Sequence, residues 1–175
     1  MMQPADKEAL DAPHDDDYPE LERAHGVDHN GVPLGMWRES LWGCCGSFYP
    51  NALMSLVCPC VAVAQICHRL GFASYRVLLA VFGGTYCLLV LCSLLPQTGS
   101  HVVAVLLALG LWINLYRLRA RLRLFFHVPG SMLGDGCSTL LCHPCAIAQL
   151  AAHINSFDRG TCSFRAKSVL PGYHI

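Results

Sequence analysis

The chain has 175 residues, 54% of them apolar and only 14% charged, a length that suits one unit and a balance that leans toward lipid rather than an ordinary soluble domain. Its zero net charge hides a division: residues 1–40 carry ten acids against Lys7, Arg23 and Arg38, a net −7, whereas the remainder sets Asp135 and Asp158 against nine basic residues, a net +7. Eleven cysteines follow an acidic start with no basic, apolar leader, which argues against a secreted disulfide framework and leaves metal binding, acylation or packing as their use.

In chain order, residues 1–36 form an acidic segment with Pro4, Pro13, Pro19 and Pro33 and no apolar periodicity, expected to be a disordered tail. A Cys-rich membrane domain is expected over 37–156. It opens with Cys44 and Cys45, whose position near the membrane suits acylation. Ala52 to Cys67 is an apolar stretch interrupted by Pro59, short for a crossing and suited to an interfacial or re-entrant helix.

Val77 to Leu95 then runs nineteen residues without a charge, about 28 Å as a helix and close to the hydrocarbon thickness. Pro96 to His101 reads as a tight connection. Val102 to Tyr116 is a second run of about 22 Å, which spans with snorkelling of Arg117 and Arg119. The connection has no Lys or Arg, while Arg69, Arg76, Arg117, Arg119, Arg121 and Arg123 flank the far ends, so both termini are expected in the cytosol. Tyr116 to Phe126 places arginine at every second position among Leu and Phe. Arg117, Arg119, Arg121 and Arg123 are read as a lipid-facing basic set, at least a topology anchor and able to meet anionic lipid. Membrane insertion already accounts for this basic flank, so no nucleic-acid partner is expected.

Cys137 to Ile154 is a second Pro-interrupted apolar stretch that repeats the first weakly, Pro144-Cys145 leading to Gln149 and His153 as Pro59-Cys60 leads to Gln65 and His68, with a one-residue gap. Residues 157–175 complete the chain as a short tail. The fold class is therefore an all-α membrane protein, a central two-helix transmembrane hairpin flanked by two Pro-interrupted, Cys-rich interfacial helices.

Thiolate is a soft donor and imidazole a borderline one. Cys58, Cys60, Cys67, Cys137, Cys142, Cys145 and His153 are the candidate ligands for zinc or another soft divalent metal, because Cys142, Cys145, Gln149 and His153 share one helical stripe and Cys60 and Cys67 another. Only Cys142-His143-Pro144-Cys145 has the CxxC form, and close packing of small thiols beside Ala and Gly remains an equal alternative. Packing is the reading for Cys87 and Cys92, inside the first span. No nucleophile elbow, phosphate-binding glycine loop or paired carboxylates outside the tail are present, so no enzyme is expected.

Trp42, Cys44-Cys45, Cys58-Pro59-Cys60, Pro129-Gly130-Ser131, Asp135 and Cys142-His143-Pro144-Cys145-Ala146-Ile147-Ala148-Gln149 together resemble the cysteine-rich placenta-specific-eight family, which includes plant cadmium-resistance proteins, fruit-weight and cell-number regulators, and cornifelin. The family pattern has cysteine where this chain has Ala52, and Gly136 separates Asp135 from Cys137. The resemblance implies a plasma-membrane location, self-association, and either heavy-metal resistance or transport, or control of cell number. The first expectation is a homo-oligomer that binds and helps to transport or buffer divalent soft metals such as zinc or cadmium; the alternative is a non-transporting membrane adaptor that regulates cell number or growth.

Overall fold

The structure is a computed structural model that describes residues 26–45, 48–158 and 161–173. The expectation for residues 1–25 lies outside the described residues. Among those described the chain is helical, with one isolated bridge between Val27 and Pro33 and no strand. A 3₁₀ turn at Leu41–Cys45 and a π-helical turn at Phe48–Ala52 lead into α1 (Leu53–Val57), α2 (Pro59–Arg69), α3 (Tyr75–Leu94), α4 (Thr98–Phe125), α5 (Met132–Leu141) and α6 (His143–His153).

Helices α3 and α4 are the expected hairpin, both long and apolar enough to cross a membrane. At 1.5 Å per residue they measure about 30 and 42 Å. The second helix is thus longer than the run 102–116, because Thr98 to His101 already belong to it and the arginine-rich stretch continues it to Phe125. The connection shrinks to Leu95–Gln97, with the Ser100 hydroxyl donating to the Gln97 carbonyl at 2.6 Å. Only Cys92 of α3 is buried, the arrangement expected of a helix whose apolar surface faces lipid rather than protein.

The core lies at the open end of the hairpin, where α2 packs against α3 and α6, and α6 against α4. It is built from Ala62, Val63 and Ile66 of α2 with Leu70 just after it, Leu115, Leu118 and Leu122 of α4, Phe126, and Ala146, Ile147, Leu150 and Ile154 from α6 onward. The small residues of α2 and α6 permit close approach of their backbones.

The two Pro-interrupted stretches have one plan. A short helix ends at a cysteine in non-helical backbone, Cys58 (φ −130°, ψ 61°) or Cys142 (φ −139°, ψ 77°), and an 11-residue helix starts next with proline in its first turn. Proline is tolerated there because its missing N–H would have no helical partner. Aligned on Cys58 and Cys142, Ala62, Ala64 and Gln65 match Ala146, Ala148 and Gln149 without a gap, whereas Pro59-Cys60 and His68 stand one position off Pro144-Cys145 and His153.

The first break bends the chain by 113°, and both breaks expose apolar tips, Leu56 and Val57 on one and Leu140 and Leu141 on the other. The second tip lies beside the middle of the hairpin. Tyr86, about 17 Å along α3, meets His143 (Oη to Nε2, 3.1 Å), and Trp112 Nε1 donates to Thr139 Oγ1 at 3.2 Å. By length and composition the first bent pair is a broken span or a re-entrant loop, and the exposed Leu and Val of both tips suit lipid contact.

Both ends of the described chain fold onto this body, which corrects the view of 26–36 as part of a tail without fold. The Asp28 carboxylate accepts from the backbone N–H groups of Asn30 and Val32, both at 2.9 Å, and Val32 is buried in the core. An Asx turn and one apolar anchor replace the missing periodicity. Leu170 and Tyr173 are likewise buried, and the Tyr173 hydroxyl donates to Asp28.

Candidate functional site

The most concentrated chemistry is a buried polar centre between α4, α5 and α6. Ser131 caps α5, its Oγ accepting from the Gly134 N–H at 3.1 Å, and sets Asp135 in the first turn. The Asp135 carboxylate, only 3% exposed, accepts Arg119 Nε on one oxygen (3.1 Å) and Arg123 Nε on the other (2.6 Å). Arg119 and Arg123 stand four apart on α4 and so share a face. Arg119 Nη1 also donates to Gln149 Oε1 at 2.5 Å, and Arg123 Nη1 to the Gly130 carbonyl at 3.1 Å. The Trp37 ring lies 4.8 Å from the Arg119 guanidinium carbon, a cation–π contact in a desolvated place.

The same centre fastens the N-terminal segment. Gln149 Nε2 donates to the Glu39 carbonyl at 2.8 Å, and the Arg38 N–H donates to His153 Nδ1 at 3.3 Å. His153 is fully buried between Trp37 and Phe126, ring centroids 5.0 and 4.7 Å away. Burial, aided by the Arg38 charge, lowers its pKa to about 3, so the imidazole is neutral at physiological pH. The repeat gives Gln65 the matching task at the other end, its Nε2 donating to the Ser163 and Arg165 carbonyls at 2.8 and 3.0 Å.

The four arginines therefore divide, which corrects their reading as one lipid-facing set. Arg119 and Arg123 face inward to Asp135, while Arg117 and Arg121 are exposed. Alternate arginines on a helix fall into two i, i+4 pairs about 200° apart, and the single acid of the body claims one pair.

The candidate metal ligands are dispersed. Cys142 and Cys145 are joined by a disulfide. Cys58 and Cys60 are half-buried free thiols at the start of α2, and Cys137 is exposed on α5. Burial raises the Cys60 thiol and pushes Cys67 up to about 12, which disfavours the thiolate that metal ligation requires. The expected stripe of Cys145, Gln149 and His153 does form one buried face, but Gln149 and His153 meet the 38–39 backbone. Among the described residues no group of three or more His, Cys, Asp or Glu side chains could hold a metal ion. Cys44 and Cys45 end the 3₁₀ turn. Asp135 is the residue of the buried centre that reasoning from the ligands missed; its signal was its isolation, the one acid between Glu39 and Asp158.

Residues 37–153 match the model of the PLAC8 family. The chain belongs to the PLAC8 family. No curated protein and no solved structure matches it. In this PLAC8 chain the matched stretch begins at Trp37 and ends at His153, the two residues whose rings touch, and it contains Arg119, Arg123, Asp135 and Gln149. The family region is thus closed on itself around the buried polar centre.

Proposed function

We propose that this protein is a non-catalytic membrane adaptor, a hairpin that fixes an acidic segment to one face of the membrane, both termini lying in the cytosol at the plasma membrane. The observation that carries the reading is the clamp on residues 37–39. Trp37, Arg38 and Glu39 are held by Arg119, His153 and Gln149, so the acid-rich sequence before residue 26, eight acids against Lys7 and Arg23, departs from an anchored point. Its partner is a basic protein surface, drawn by charge and weakened by salt. A Lys/Arg-rich peptide should bind the chain reconstituted in neutral-lipid vesicles, lose binding on removal of residues 1–25, and lose it at high salt. Equal binding by the truncated chain would overturn the reading.

A second reading, an oligomer that binds and helps to transport or buffer zinc or cadmium, is favoured by the four cysteines at the two equivalent helix starts, Cys58, Cys60, Cys142 and Cys145. The described residues of one chain gather no such set, so this reading draws further ligands from other copies and needs a reduced Cys142–Cys145 pair. Metal content of detergent-purified protein separates the two. Metal-free protein with intact fold supports the adaptor, and near-stoichiometric zinc lost in Cys60→Ser and Cys145→Ser supports the second.

A further inference from the structure

A cavity of about 260 Å³ opens between α2, α3 and α4. Its walls are apolar, chiefly Val63, Phe82, Leu111, Leu115 and Leu118, and its cationic lining is Arg117 and Arg121. Among the described residues no acidic side chain lines it. Arg117 and Arg121 are exposed and make no ion pair among the described residues, in contrast to Arg119 and Arg123, which are committed to Asp135.

Height along the hairpin gives these features an order. With α3 and α4 joined by three residues, Tyr75 at the start of α3 stands level with Arg117 near the end of α4, so Arg117 and Arg121 lie where the hairpin leaves the hydrocarbon. Leu111 and Phe82 lie deeper. The polar groups of the lining are already engaged, Tyr86 with His143 at the bottom and Asn114 with the Gly110 carbonyl, so a slot with mainly apolar walls and two cations at the headgroup level is complementary to a negatively charged head on an apolar chain. We propose that this cavity is a binding site for an anionic glycerophospholipid of the leaflet on the side of the core, its phosphate between Arg117 and Arg121 and one acyl chain between α3 and α4. The volume is just under that of drug-sized pockets and accommodates part of one chain, with the second left in the bilayer. The two guanidinium groups, one helical turn apart, present several N–H donors to phosphate oxygens.

The test is native mass spectrometry of the full chain in detergent, titrated in parallel with phosphatidylserine, phosphatidylcholine and inorganic phosphate. Phosphatidylserine is expected to bind as a single retained adduct and phosphatidylcholine much more weakly. Replacing both cations, Arg117→Gln with Arg121→Gln, should weaken the phosphatidylserine adduct roughly thirtyfold, from about a kcal/mol for each basic residue near the headgroups. Arg76→Gln, an exposed arginine outside the cavity, should leave it unchanged. Leu111→Trp fills the slot and should weaken the adduct while the arginines remain. Because these positions are not fully buried, melting temperature checks that each variant stays folded. The proposal is overturned if phosphatidylcholine binds equally well, if the double variant binds like the parent, or if inorganic phosphate competes fully, which would make the site a headgroup contact without a chain.

Discussion

Replacing Asp135 by Asn tests whether the buried centre holds the body together. Asn keeps the volume but removes the charge, so two guanidinium groups, each under a tenth exposed, face an amide that can accept from one of them and presents its own NH₂ to the other. Breaking a buried pair in this way costs about 3–5 kcal/mol, against about 0–1 kcal/mol for a solvated one. The loss should fall on packing of α5 against α4 and, through Arg119, on the clamp at Trp37. At roughly 2–4 °C per kcal/mol for a chain of this size, the melting temperature of detergent-purified protein should drop by on the order of 10 °C. Tryptophan emission is the natural readout, since Trp37 lies over Arg119 and Trp112 hydrogen-bonds α5. A companion variant separates charge from shape: Arg119→Met, Arg123→Met and Asp135→Leu together remove every charge and should recover most of the loss. If the stability of Asp135→Asn lies within about 1 kcal/mol of the parent's, the cluster is screened by solvent and does not hold the body together.

Further outcomes follow from the same geometry. His153 has its pKa lowered to about 3 in the fold against about 6.5 unfolded, so between these values the unfolded chain binds the extra proton. Stability should therefore fall with acidification from about pH 6.5 toward 3, by on the order of 1 kcal/mol per pH unit, and equilibrium unfolding of His153→Gln should lack that slope. Gln149→Ala deletes the bonds to Arg119 and to the Glu39 carbonyl; an expected cost of about 1–3 kcal/mol would be accompanied by faster proteolysis near residue 40, and unchanged cleavage would show that the clamp is elsewhere. Cysteine labels at residues 97–100 should be reached only from the face opposite to a label at residue 170, because Leu170 packs on the core at the open end of the hairpin; labelling of both from one face would exclude the hairpin.

The first span was legible in the sequence because an uncharged run as long as the bilayer is thick satisfies its backbone only as a helix, the second because a shorter run ends in arginines that can snorkel, and each broken stretch was legible because proline cannot donate in a helix. The repeat was legible too, although its register was not: proline moves by one position without cost inside the first helical turn, whereas Cys58 and Cys142 mark the break itself. The arginine row carries its two i, i+4 pairs openly, yet only Asp135, brought from α5 against α4, decides that Arg119 and Arg123 turn inward and leave Arg117 and Arg121 for the membrane face. Likewise the stripe of Cys145, Gln149 and His153 is a property of helical spacing, but what it faces is set by Trp37, Arg38 and Glu39, more than a hundred residues away in the chain. Spacing along one helix tells which side chains share a face; the partner that covers that face comes from another part of the chain, and packing alone selects it.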